Sequence, residues 1–250
     1  MSVEHVQQSC LDGIARAVSE VFERLEQIEQ AVQQIFHRST ATGEGLMAKD
    51  FRVLRPLLDH HLNLTRTTLQ GTGVVLEPGL LTDTEMHVEW RQISTNGHIV
   101  PLNLNFNRSS DYYYNYLDMA WFSQPRKQGR RMIAGPYVDL YGQDMYLLTF
   151  SLPIHIDGRF VGIAGADVAL SRFESVLMRS LLHIGNDAML VSEQGRVIAA
   201  NNANYSAGEL ARQALNSPQI QRQILDLGHE GVHWSLLQSP HSSHHQSMVF

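Results

Sequence analysis

Asp167 closes the apolar run RFVGIAGADV, a position where a carboxylate is costly unless a partner is built for it. Asp139 stands two residues behind Tyr137 in GPYVD, where its ordinary use is to cap a turn and its chemical use is as a second acid. The stretch DYYYNYLDMAWFSQP, residues 111–125, packs four tyrosines, a tryptophan and a phenylalanine into a chain that is only 8% aromatic. Carboxylates grouped with aromatic faces suit a cation, because the carboxylate neutralises it and each ring over it adds about 0.5–2 kcal/mol. The competing reading is structural. Trp121 and Phe122 then anchor a core and Tyr112 and Tyr113 lie on the surface, while Tyr114 and Tyr116 point the same way, so that one of them lines a site.

Other chemistries are poorly served. His60-His61 and the HSSHH run at 241–245 match no zinc spacing and lack Cys or Glu support, so no metal site is expected. No nucleophile elbow, phosphate loop or dinucleotide fingerprint occurs. A hydrolase built on Asp139, Asp167 and His155 would have no nucleophile or oxyanion device near it. The chain reads as a non-enzyme without cofactors. With 19 Lys and Arg against 25 Asp and Glu, net charge −6, and no basic face, nucleic-acid binding is not expected. The single cysteine, Cys10, fits a reducing compartment. With no secretion signal and no run of 18 apolar residues, the expectation is a cytoplasmic chain without a membrane segment.

The elements that must position these residues begin with a heptad seam. Leu11, Ile14, Val18, Val21, Leu25, Ile28, Val32 and Ile35 alternate steps of three and four, which predicts a long helix pairing either with a second copy, as a dimer coil, or with the next helix of the chain. A second amphipathic stretch follows from about Lys49 to Leu69. Strand-like runs come next: GVVLEP, HVEWRQI and IVPLNLNF, the last two joined by a tight turn at Asn96-Gly97. MYLLTFSLPI and RFVGIAGADV turn at Asp157-Gly158, and AMLVSEQGRVIAAN turns at Gln194-Gly195. SRFESVLMRSLL reads as a helix capped by Ser171 with Glu174 in a capping box. Helices, meander, helix and hairpin predict an α+β fold with antiparallel sheets. The last 20 residues hold one strand and stop without a closing element, so the second module is expected to be small or truncated.

AWFSQP, GPYVD, TFSLPIHIDGRFVGIAGADVAL and AMLVSEQGRVIAAN together resemble the Cache sensor domains of bacterial chemoreceptors and sensor kinases, in the double Cache form. The resemblance runs from about residue 70 to 200 and rests on Trp121, Phe122, Pro136, Tyr137, Asp139, Pro153, Gly162, Gly165, Asp167, Leu190, Val191, Gly195 and Ile198. It implies a long N-terminal helix followed by a PAS-like antiparallel sheet that binds a small metabolite in its first module. The implied division is 1–70 N-terminal helices, 71–184 distal ligand-binding module and 185–250 second, incomplete module. Such domains ordinarily lie outside a membrane, against the cytoplasmic expectation above.

In amino-acid-sensing relatives a Tyr seven residues before the Trp, an Arg two before it, and a Tyr with two Asp residues hold the ligand. Carried over, Tyr114, Trp121, Tyr137, Asp139 and Asp167 match, Phe122 replaces a Tyr, and Met119 stands at the Arg position. Asp118, beside it, would be a third acid, as in amine-sensing relatives. Met cannot grip a buried carboxylate, so an amine or quaternary ammonium is favoured. An Arg from RKQGRR, 126–131, folding back would restore amino acids or carboxylic acids. The expected ligand-binding set is thus Tyr114, Tyr116, Asp118, Trp121, Phe122, Tyr137, Asp139 and Asp167, in a sensor that dimerises through its N-terminal helix and relays to a signalling partner. The remaining alternative is a dimerisation protein with a degenerate pocket.

Overall fold

The computed structural model describes residues 3–64, 68–138, 145–229 and 231–240, and these form two compact units. The larger comprises Val18–Ala169 and His229–Val232; the smaller comprises Met1–Ala17, Leu170–Gly228 and His233–Phe250.

The heptad seam forms one 40-residue helix, α1 (Val3–Thr42). Its apolar stripe is covered within a single chain: Val18, Leu25, Ile28 and Val32 are fully buried, Val21 is 2% exposed and Ile35 5%. That seam is therefore covered without a second copy, the intramolecular of the two pairings expected for it. In the larger unit α1 meets a sheet, with Phe22 edge-on to Phe150 at 5.3 Å, and also the second helix, α2 (Arg55–Asn63), where Gln27 Oε1 lies 2.9 Å from His61 Nε2. A 3.5-residue repeat registers only that one face is buried; a sheet satisfies it as well as a helix does.

The larger unit's sheet contains β1 (Leu69–Leu76), β2 (Val88–Ile93), β3 (Ile99–Pro101), β4 (Met132–Val138), β5 (Tyr146–Ile156) and β6 (Arg159–Ala169), in the order β3-β2-β1-β6-β5-β4, every pairing antiparallel. The turns at Asn96-Gly97 and Asp157-Gly158 fall between paired strands, with Gly97 and Gly158 both at positive φ. The strand expected over IVPLNLNF is shorter, ending at Pro101, whose missing N–H cannot continue a ladder. The aromatic stretch becomes a loop, one 3-10 turn at Tyr116–Asp118, and a third helix, α3 (Ala120–Gln128), which packs on β4, β5 and β6 and stops at Gly129 in the left-handed region.

In the smaller unit α4 (Leu170–Leu181) is followed by β7 (Ala188–Val191), β8 (Val197–Ala200), a one-turn helix α5 (Arg212–Leu215), β9 (Gln221–Ile224) and β10 (Ser235–Gln238), with sheet order β8-β7-β10-β9. Helix α4 begins at Leu170, one residue before the Ser171 cap expected. The Asn201 side chain ties this unit's corner together. Its amide donates to Leu181 and Asn186 carbonyls while its Oδ1 accepts from Ala188 N–H.

Candidate functional site

The two faces of the larger sheet are distinguished by the alternation in β2. Glu89 and Arg91 point to α2, where Glu89 pairs with Arg55 at 2.9 Å and Arg91 with Asp59 at 2.6 Å. Val88, Trp90 and Gln92 therefore face the other way, and all three line a cavity of about 180 Å³. Its remaining walls are Val75, Leu102, Leu104, Tyr114, Met119, Trp121, Tyr137, Val138, Leu147, Thr149, Ile163 and Asp167. A dry cavity only slightly smaller than this accommodates benzene, so the space suits a small metabolite.

Strand register orders the floor into rows. Gln92, Gly71, Asp167 and Thr149 lie side by side across β2, β1, β6 and β5; two residues along come Trp90, Gly73, Gly165 and Ser151, and then Val88, Val75 and Ile163. The first row is polar and the third apolar. In the first, Thr149 donates to Asp167 Oδ1 at 2.7 Å, and since this uses the hydroxyl's only proton, Tyr137 is the donor in its 2.5 Å bond to Thr149 Oγ1. Thr149 is 2% exposed, so the chain Tyr137 to Thr149 to Asp167 fixes the carboxylate from below. Tyr137 reaches it because the β4–β5 register shifts between Ala134 and Tyr137, a bulge that re-aims the side chain.

Of the residues singled out in the sequence, Tyr114, Trp121, Tyr137 and Asp167 line this cavity, and so does Met119. Tyr116 and Phe122 do not. Both are fully buried in the adjoining core, their rings 4.9 Å apart, and Tyr116 donates to Leu76 O at 2.8 Å, while burial pushes its phenol far above the ordinary range. Asp118 does not line it either: it is exposed and accepts from Asn115 Nδ2 at 2.5 Å, turned away because its neighbour Met119 turns in. Asp139 lies outside the described residues, one position after Val138, which lines the cavity. The basic run is engaged elsewhere, Arg126 with Glu77 and Arg131 with Glu26 at 3.1 Å, and none of residues 126–131 lines the cavity. Trp90, Gln92 and Thr149 were missed in the sequence; the period-2 pattern of VEWRQI groups Trp90 with Gln92, yet only the Arg55 and Asp59 pairings reveal which face is inward.

Among the described residues no group of three or more potential metal ligands occurs. No described helix is long and apolar enough to cross a membrane, a finding that carries no support for the cytoplasmic expectation.

Residues 54–175 match the family model described as methyl-accepting chemotaxis protein-like, first PDC sensor domain. A 58-residue stretch is 31% identical to the methyl-accepting chemotaxis protein TlpQ of Pseudomonas aeruginosa, covering 23% of this chain and 8% of that protein. The chain thus aligns with less than a tenth of that relative's length. Among solved structures, the sensory domain of the Campylobacter jejuni chemoreceptor Tlp3 superposes with TM-score 0.61 at 13% identity, over 95% of this chain and 92% of that one. The ligand-binding domain of the Pseudomonas aeruginosa amino acid chemoreceptor PctB, in complex with L-Gln, gives TM-score 0.59 at 14% identity, over 95% and 89%. The fold is that of chemoreceptor ligand-binding domains, and the match over residues 54–175 is to a sensory domain of the PDC type.

Proposed function

We propose that this chain is the ligand-binding part of a double Cache sensor and that the cavity of its larger unit takes a small cationic metabolite, an amine or quaternary ammonium. The observation that carries the reading is the polar row of the floor. Asp167 is held there by Thr149 and Tyr137, whereas Met119 occupies the wall where a carboxylate-gripping Arg would stand. No Lys, Arg or His is among the described lining residues, so a ligand carboxylate finds no charged partner there. Tyr114 and Trp121 supply aromatic faces, and Asp139 is assigned as a second acid beside Val138. A neighbour that binds L-Gln keeps amino acids as the competing ligand class.

In this reading occupancy is relayed to a signalling partner or output domain through α1. Thr149, on the cavity side of β5, is adjacent in sequence to Phe150, which packs against Phe22 on the opposite face. Calorimetry of the purified chain against amines, quaternary ammonium ions and L-amino acids tests the ligand class. Replacing Asp167→Asn removes a charge-assisted interaction of about 1.5–3 kcal/mol, so amine affinity should fall roughly 10- to 150-fold. Tight binding of L-Gln with weak binding of every amine would overturn the proposal, as would amine affinity unchanged in Asp167→Asn.

A further inference from the structure

Trp90 belongs to no motif recognised in the sequence, yet it occupies the middle of the cavity floor. Its indole covers two of the three places where the rows lack a side chain. A Cβ built on Gly71 would sit 2.5 Å from Trp90 Nε1, and one on Gly165 would sit 2.9 Å from Cζ3 and 3.0 Å from Cη2. At Gly73, two residues along β1 from Gly71 and paired with Gly165, a Cβ would meet the β2 backbone itself, 2.1 Å from Glu89 O. The indole therefore lies down across β1 and β6, on a strip of glycines, next to Asp167, which pairs with Gly71 and follows Gly165 by two residues.

A second observation marks the ring as more than filler. Trp90 is 6% exposed and its Nε1–H is buried without an acceptor. A phenyl ring would cover the same strip without that unpaired donor, which is costly in an apolar surrounding. What the indole offers in exchange is the larger and more electron-rich face, the best of the three aromatic side chains for a cation and for a flat apolar group. Next to that face stands the polar row with Asp167; beyond it, Val75, Val88 and Ile163 make an apolar end, with Leu102 and Leu104 also in the wall.

We propose that the cavity is specific for an amine carrying a flat apolar body, with the body on the Trp90 indole and the ammonium in the Asp167 row, and that Trp90 is the residue that sets this specificity. The assignment rests on the cation-binding reading of the same cavity. The glycines at 71 and 165 then have one task, to let the indole lie flat.

The test is calorimetric titration of the purified chain with 2-phenylethylamine, 2-cyclohexylethylamine and ethylamine, which share an ammonium and differ in the body. The proposal expects 2-phenylethylamine to bind at least about tenfold more tightly than ethylamine, from the apolar area it buries, and several-fold more tightly than its non-planar analogue. Trp90→Phe should reduce the preference for 2-phenylethylamine over 2-cyclohexylethylamine roughly three- to tenfold. Trp90→Leu should abolish that preference, and Trp90→Phe carries the test alone if the Leu variant does not fold. Equal affinity of all three amines, or a planar preference untouched by Trp90→Phe, overturns this proposal and leaves the cation-binding reading standing. Failure of every amine to bind the unaltered chain overturns both.

Discussion

Acid should weaken the larger unit through one histidine. His61 is 1% exposed, and its Nε2 lies 2.9 Å from Gln27 Oε1, an acceptor, so Nε2 carries the proton and Nδ1 is left as a buried lone pair with no partner. Protonating Nδ1 would create a second N–H with nothing to donate to, in a site where Arg24 and His60 are already positive or able to become so. Burial first, then Arg24 and His60, lower the imidazole from 6.5 to about 4. In the unfolded chain the same imidazole titrates near its ordinary value, so between about pH 6.5 and 4 the unfolded state binds the proton and the folded state refuses it. Stability is therefore highest above that window, falls as pH drops through it, and levels off below it. The loss is about 2 kcal/mol at pH 5 relative to pH 8 and about 3 kcal/mol at its limit. Against a total stability of about 5–15 kcal/mol, that is large enough to measure.

The assay is urea denaturation at pH 8, 6.5 and 5, comparing the unaltered chain with His61→Met, which keeps the volume and removes the titration. His87 and His229 are also held below their ordinary values, chiefly by burial, and every carboxylate contributes its own dependence, but these are common to both proteins. The variant should lose about 2 kcal/mol of the drop between pH 8 and 5. An identical drop in both proteins would refute the argument and would mean that His61 charges inside the fold.

Two further outcomes follow from the sheet. Thr149→Val deletes the link between Tyr137 and Asp167, both hydrogen bonds at once; with a charged acceptor involved, thermal unfolding should show a loss of about 1.5–3 kcal/mol, accompanied by weaker amine binding. Gly73→Ala forces a methyl to 2.1 Å from Glu89 O on the partner strand, and since backbone cannot yield as a side chain can, a loss of at least about 2 kcal/mol is expected, whereas Gly158→Ala, whose Cβ meets nothing within 4 Å, should show only the cost of its positive φ of 77°.

The legible part of this fold was whatever a single segment decides alone. The step of three and four in α1 fixed a buried stripe, and Asp157-Gly158 fixed a hairpin, because both signals are local. The partner of the stripe was not local, and a sheet covers it together with the second helix. Strand β4 was missed because Gly135 and Pro136 interrupt MIAGPYV, and β9 because QRQI is exposed throughout and carries no apolar alternation. At the site, the family resemblance grouped Tyr114, Trp121, Tyr137 and Asp167, and these four line one cavity. It could not separate Tyr116 and Phe122 from them, since aromatic rings destined for core and for lining have the same composition, and only packing depth tells them apart.

The same limit applies to Trp90 with the opposite outcome. A tryptophan in the middle of a strand reads as core, and by exposure it is core. What removes it from that class is the surface beneath it, since Gly71 and Gly165 lie on two different strands about 94 residues apart and become one platform only through the β1–β6 register. A side chain buried against other side chains is replaceable by any of similar volume. One laid on backbone, beside a braced carboxylate and open on its upper face to a cavity, is constrained on every side but the one a ligand would approach. The order of construction in this site therefore runs from the glycines upward, with the indole second and the ligand last.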